Sequence, residues 1–299
     1  MRENNTHHSI GVKLIAGLKI IPLLLLIACQ NKSRDDDAFL LNPATDSPYN
    51  YKVYYTENIS VRQASELKKT AFTISFQPVS DSIYAFNFRF TEIDTSILRY
   101  LDRMDSLHKR SPDKNAIFRR AEYSSVFKEA IRDVFHGRVD RKGQVISLNG
   151  FDAMKARIKK EIRLDSRDYV SMLQEETGDP AVEKLLNMLF MCIAGKQVKV
   201  EDNWVRNVID NTRSPIKHSH LVTFIAQRKD TAIMNVQTEI SAKTAPEGTL
   251  FESGKGGGEW KIDRRTGLPY EWNSRYETQY RTAYDTSTRT IVVKGELMQ

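Results

Sequence analysis

Aromatic side chains occupy every second position of one short segment, namely Tyr84, Phe86, Phe88 and Phe90. A strict period of two is typical of a β-strand whose one face is turned toward a core. The same period returns near the C-terminus, in Trp272, Ser274, Tyr276, Thr278 and Tyr280. Both parts of the chain are therefore expected to form antiparallel sheet with an aromatic inner face.

The middle of the chain predicts helices. Phe151, Met154, Ile158 and Ile162 share one stripe at helical spacing. Asp179 is an expected N-cap followed by proline, and the helix after it is apolar nearly all round to about Ala194. Strands, then helices, then strands favour the α+β class. We expect a strongly curved antiparallel sheet, half-barrel-like with roughly ten strands, and a central group of helices packed on its concave side.

Glycines mark two further features of the strand-rich parts. Asp140–Gly143 has the chemistry of a hairpin turn, with glycine at the left-handed position. The run Gly254–Gly258 lacks the spacing of a phosphate-binding loop, and we interpret it as a flexible approach to a hairpin.

The N-terminus carries an export signal. Ile20–Ala28 is apolar throughout and follows Lys13 and Lys19. This pattern is typical of a secretory signal peptide, and the segment is shorter than the ~20 residues that span a bilayer. Leu26-Ile27-Ala28-Cys29 resembles the lipobox of bacterial lipoproteins. That resemblance implies cleavage before Cys29 and attachment of lipid, such as palmitate, to this residue. A plain signal peptide with an incidental cysteine, or an apolar N-terminal strand, is the alternative.

These features divide the chain into a signal peptide at 1–28, a lipidated polar tether at 29–48 and a single domain at 49–299. Gln30–Asp37 ends in three acids and looks like the export tether of some surface-exposed lipoproteins, although an ordinary linker has the same composition. We expect a protein anchored in the outer membrane of the cell envelope, facing the periplasm or the cell surface.

Composition limits the partners and the redox chemistry. The formal net charge is +7, with charges interspersed, so an anionic partner is weakly indicated and no nucleic-acid motif is present. If Cys29 is lipidated, Cys192 has no partner cysteine. Cys192 lies in an apolar run and is predicted to be a buried, inert thiol.

Three turn-and-strand segments carry a family resemblance: Gly137–Val145, Val198–Trp204 and Asp263–Pro269. On these segments the chain resembles an uncharacterised family of Bacteroidota lipoproteins. Its order of elements is also similar to the half-barrel of bacterial lipoprotein carriers. That second resemblance implies an acyl chain held between a curved sheet and a helical lid, by analogy of fold alone.

No motif predicts catalysis, a metal site or a cofactor. His218 and His220 lie on one face of a predicted strand and could begin a zinc site, but exposed strand histidines are the preferred interpretation. The acid pairs Glu175/Glu176 and Glu201/Asp202 are adjacent residues, which face apart on a helix or strand and make poor general acid–base pairs.

The sequence therefore predicts a non-enzymatic envelope lipoprotein that binds a hydrophobic ligand, such as a lipid or acyl chain, between sheet and helices. The alternative is an envelope interaction or scaffold protein without a small-molecule ligand. Plain core packing is the other interpretation of the proposed lining residues, which are Tyr84, Phe86, Phe88, Phe90, Leu185, Leu189, Trp272, Tyr276 and Tyr280.

Overall fold

A computed structural model builds the chain around one antiparallel sheet of eleven strands. The structure describes residues 39–59, 64–94, 127–162, 177–210, 216–242, 250–281 and 286–298. The first five strands are β1 (Tyr49–Ile59), β2 (Ala64–Ser80), β3 (Ile83–Asp94), β4 (Phe135–Asp140) and β5 (Val145–Asn149). The other six are β6 (Asn203–Asp210), β7 (Ile216–Arg228), β8 (Thr231–Ala242), β9 (Leu250–Asp263), β10 (Pro269–Arg281) and β11 (Thr286–Met298).

The strand order is β5-β4-β3-β2-β1-β11-β10-β9-β8-β7-β6. Neighbouring strands in sequence pair with each other, except that β5 and β6 do not pair, and β1 pairs with β11 and joins two meanders. The sheet is open, and its edge strands are β5 and β6.

The described helices are few and short: α1 (Phe151–Ile162), α2 (Asp179–Phe190) and one helical turn at 127–130. The predicted α+β half-barrel with a central group of helices is therefore wrong, and the fold is mainly β. The run Gly254–Gly258, interpreted from sequence as a flexible approach to a hairpin, is part of strand β9 instead. The sequence pattern also predicts helices around 96–107 and 168–176, and both ranges lie outside the described residues. None of the described helices is long and apolar enough to cross a membrane.

Several local predictions are confirmed. Gly143 has a φ of +72°, and Asp140 accepts hydrogen bonds from the backbone of Lys142 and Gln144, as a tight hairpin turn requires. On α1, Phe151, Met154 and Ile158 are buried.

Helix α2 is buried over most of its length, as predicted, but two details of its bounds differ. The helix ends at Phe190, and its N-cap is Gly178, not Asp179.

A short segment before β1 closes one end of the sheet. Leu41 donates to the carbonyl of Arg141 at 2.8 Å, and Asn42 donates to that of Thr266 at 2.9 Å. Phe39 and Leu41 are both buried. We call Phe39–Asn42 the strap; it lies within the range 29–48 that was predicted to be tether. The strap thus links the β4–β5 turn to the β9–β10 turn.

Candidate functional site

The inner face of the sheet has an aromatic end and a polar end. The aromatic end lies nearer the strap and contains most of the proposed lining residues. Phe88 meets Phe90 edge-on at 5.0 Å and stacks on Phe72 at 4.8 Å between ring centroids. All the rest of this group are buried in the same core: Tyr84, Phe86, Leu185, Leu189 and Trp272. These contacts match the core-packing interpretation of this group.

Three inner aromatic rings lie against glycines on the next strand. Phe86 is paired with Gly137, Trp272 with Gly295 and Tyr276 with Gly256. A Cβ on Gly295 would lie 2.0 Å from Cζ2 of Trp272, and one on Gly256 would lie 2.4 Å from Cδ1 of Tyr276. The rings occupy the space that a side chain on the neighbouring strand would fill, so these glycines are required by packing.

The polar end is organised as a row across five strands. Register partners connect Arg206 on β6 to His220 on β7, and His220 to Thr238 on β8. Thr238 is level with Gly256 on β9, which is level with Tyr276 on β10. Because directly opposite residues of antiparallel strands share a face, these side chains all project inward. We call Arg206, His220, Thr238 and Tyr276 the polar row.

His220 is the buried centre of the polar row. Its side chain is 5% exposed, and Nδ1 lies 2.9 Å from Oγ1 of Thr238. The ring stacks on His218 at 6.0 Å between centroids. Burial, helped by the nearby His218 and Arg206, lowers the pKa of His220 to about 4. The imidazole is therefore neutral at pH 7, and the prediction of exposed histidines is wrong for His220.

Arg206 closes the row at the edge of the sheet. Its guanidinium donates to the carbonyls of Phe190 at 2.8 Å, Gly143 at 2.5 Å and Lys142 at 3.3 Å. No carboxylate among the described residues forms an ion pair with it, although Asp140 lies close enough to favour its charge. Burial lowers the pKa of Arg206 from its ordinary value, yet a guanidinium stays charged at neutral pH. The carbonyl at the C-terminus of α2 offsets part of this charge.

Tyr276 forms the other end of the row. Removal from water raises the pKa of Tyr276, while interaction with the hydroxyls of Ser274 and Thr238 acts in the opposite direction. The thiol of Cys192 is near enough to both Tyr276 and Arg206 to affect their pKa values. Cys192 is itself buried, and burial raises the pKa of its thiol. Cys192 therefore lies near both ends of the polar row.

Two buried indole groups belong to the same core. Trp260 and Trp272 are register partners on β9 and β10 and are 0% and 2% exposed. The Nε1–H of each has no acceptor among the described residues. Such donors are usually satisfied by water or by a bound molecule, because an unmade buried hydrogen bond costs roughly 1–3 kcal/mol.

The amino-acid sequence indicated only part of this site. Tyr276 belongs to the polar row; Tyr280 lies on the same strand, but its side chain is outside the described set. Arg206, His220 and Thr238 were not proposed as lining residues. The sequence signal for these three residues was weak. Each occupies an inward-facing position of a strand whose side chains alternate between the two faces, and only the pairing of the strands brings the three together. Among the described residues, no group of three or more His, Cys, Asp or Glu side chains could hold a metal ion.

Comparison with known proteins gives a family but no activity. A model described as "Family of unknown function (DUF6263)" matches residues 81–269. A solved structure with similarity is that of Rv2717c from M. tuberculosis, with 7% identity over 84% of this chain and 91% of that chain, and a TM-score of 0.29. No curated protein matches the chain.

Proposed function

The chain belongs to DUF6263, a family of unknown function, and we propose that it is a non-enzymatic binding protein for a hydrophobic ligand such as a lipid or acyl chain. The ligand would lie against the inner face of the sheet. Its polar end would meet the polar row, and its apolar part would extend toward the aromatic end. The observation that carries this proposal is the polar row itself, since hydrogen-bonding side chains from neighbouring strands converge on an otherwise apolar face.

The protonation states of the row support binding over catalysis. A general acid or base works best with a pKa near the working pH. The pKa of His220 is lowered to about 4, and that of Tyr276 is raised, so neither exchanges protons readily at pH 7. The raised pKa of Cys192 likewise keeps it a thiol, not a nucleophilic thiolate. Neutral hydrogen-bonding groups beside one guanidinium suit the head of an amphiphile.

We also propose that the protein is a lipoprotein held in the outer membrane through Cys29. Nine residues separate Cys29 from Phe39, the first residue of the strap. This would keep the binding domain next to a source of lipid.

The test is native mass spectrometry with organic extraction on protein purified from its own membranes. We expect a hydrophobic mass in near-stoichiometric amount in the wild type. Tyr276→Phe and Thr238→Val should retain less of it, whereas the matched variant Tyr54→Phe, on the outer face of β1, should retain the wild-type amount. A wild-type mass without ligand, unchanged by added fatty acids and phospholipids, would refute the proposal.

An envelope interaction or scaffold function is the second candidate. It is favoured by the close packing of the proposed lining residues, including Phe86, Phe88 and Phe90, against one another and the sheet. This function would be supported over the first if the protein carried no ligand and co-purified with one defined envelope protein after cross-linking of the membranes.

A further inference from the structure

The outer face of the sheet carries an apolar strip at one edge. Val205 and Ile209 on β6 are 58% and 45% exposed, and Leu221 and Ile225 on β7 are 37% and 45% exposed. Val205 and Leu221 are register partners and lie side by side across the two strands, whereas Ile209 lies opposite Lys217. We call these four residues the β6–β7 strip. Exposed apolar side chains gathered at one edge of a sheet are a feature of interaction sites.

Strand β6 is also an edge whose second side has no backbone partner among the described residues. Natural edge strands are usually protected from pairing by outward charges or proline. The outward positions of β6 are Asn203, Val205, Asn207 and Ile209, none of which is charged. Arg206 offers no protection, because its guanidinium is used on the inner side by α2 and the β4–β5 turn.

We propose that β6 pairs antiparallel with β6 of a second copy of this chain, about a two-fold axis through Asn207. A two-fold axis perpendicular to the sheet keeps outer side chains on the outer face. The residue numbers of two positions that lie opposite each other must then differ by an even number. With Asn207 at the centre, Val205 lies opposite Ile209 of the second copy, and the same contact repeats on the other side of the axis.

Other registers are less favourable. A centre at Val205 would set Ile209 against Glu201. The register centred on Asn207 is the one in which both apolar residues of β6 meet apolar partners. The side-chain amides of the two central Asn207 residues can each donate one hydrogen bond and accept one. Such a contact is isologous and closes on itself. A second copy is favoured as the occupant because the edge is neutral and its pattern is complementary to itself.

Disulfide trapping in the native membrane tests this register. Opposed residues in an antiparallel pair have Cα atoms about 4.5–5.5 Å apart, so Asn207→Cys should give a cross-linked dimer on mild oxidation. Asn203→Cys is the matched control on the same face. Its two copies would be eight residues out of register, or about 27 Å apart at ~3.4 Å per residue, and should not cross-link. Wild-type protein controls for Cys29 and Cys192.

A second variant separates pairing from chance collision. Adding Val205→Lys to Asn207→Cys places a charge opposite Ile209 and should reduce the dimer at least five-fold. Val205 is more than half exposed, so folding, followed by thermal denaturation, should be unchanged. The proposal is overturned if Asn207→Cys remains monomeric, if Asn203→Cys cross-links equally, or if the trapped product contains a different protein.

Discussion

The guanidinium of Arg206 on edge strand β6 donates a 2.5 Å hydrogen bond to the carbonyl oxygen of Gly143, in the turn between β4 and β5. These elements stand at opposite ends of the strand order. The same side chain bonds the last carbonyl of α2, at Phe190. One residue therefore connects the two ends of an open sheet through a helix end and a turn, and helps to fix the curvature that brings them together.

Replacing Arg206 should destabilise the fold. Arg206→Met leaves the carbonyls of Phe190 and Gly143 without their donor, and hydrogen bonds to charged groups contribute about 1.5–3 kcal/mol each. We expect a loss of about 2–4 kcal/mol in the free energy of unfolding, measured by urea denaturation. Arg138→Met, at an exposed position on β4, is the control and should change stability by less than about 0.5 kcal/mol. Equal effects of the two variants would contradict the role of Arg206.

The contact between Trp272 and Gly295 should be intolerant of a side chain. Gly295→Ala places a Cβ where the indole ring lies, and overpacking of this kind costs about 1–3 kcal/mol. Trp272→Leu removes the clash, so the double variant should be less destabilised than the sum of the single ones. Lys294→Ala, at the next and exposed position, should have little effect. Strict additivity of the two changes would show that the ring and the glycine are not coupled.

The strands were predictable where alternation of side chains was strong. Phe86 and Trp272 indicated inner faces correctly because aromatic and polar residues alternate around them. The run Gly254–Gly258 failed: it forms the middle of β9, not a flexible approach to a hairpin. Glycine has no strand preference of its own. The need for glycine at these positions comes from the neighbouring strands. Tyr276 fills the space over Gly256, which local sequence cannot show.

The polar row was not predictable for a related reason. His220 and Thr238 are 18 residues apart and meet only through the register of β7 and β8. The contribution of the helices to the fold was overestimated, because an apolar stretch such as that of α2 shows that the helix is buried but not how many helices pack on the sheet.

The segments that carry the family resemblance have a structural explanation. Arg141 and Thr266, whose carbonyls accept hydrogen bonds from the strap, lie in two of these segments.

The strap should contribute directly to stability. Leu41 is fully buried, and removal of a buried leucine side chain costs about 2–5 kcal/mol. Leu41→Ala should therefore lower the free energy of unfolding by that amount, whereas Pro43→Ala, at an adjacent buried position, tests whether any change nearby is equally harmful. If Leu41→Ala is neutral in denaturant titrations, the strap does not hold the turns together.

Thiol accessibility tests both cysteines together. Cys192 is 1% exposed, and its raised pKa keeps it protonated, so a thiol reagent at pH 8 should not label it in the native protein. If Cys29 carries lipid on its sulfur, native mature protein should show no reactive thiol, and unfolding should reveal one. Rapid labelling of one thiol before unfolding, absent in Cys29→Ala, would contradict lipidation. Rapid labelling that Cys192→Ala abolishes would contradict burial.

Stability should fall as the pH is lowered below about 6.5, because the fold favours neutral His220. In the unfolded chain histidine titrates near pKa 6.5, whereas His220 in the fold titrates at about 4. Between these values the unfolded state binds the proton and the native state does not, so stability rises with pH across this window. The difference corresponds to about 3 kcal/mol, present above pH 6.5 and lost by pH 4. Urea denaturation from pH 4 to 7 should show this slope in the wild type and a smaller one in His220→Asn. Nuclear magnetic resonance titration of His220 provides the direct measurement, and a midpoint near 6.5 would contradict a buried, neutral imidazole in the polar row.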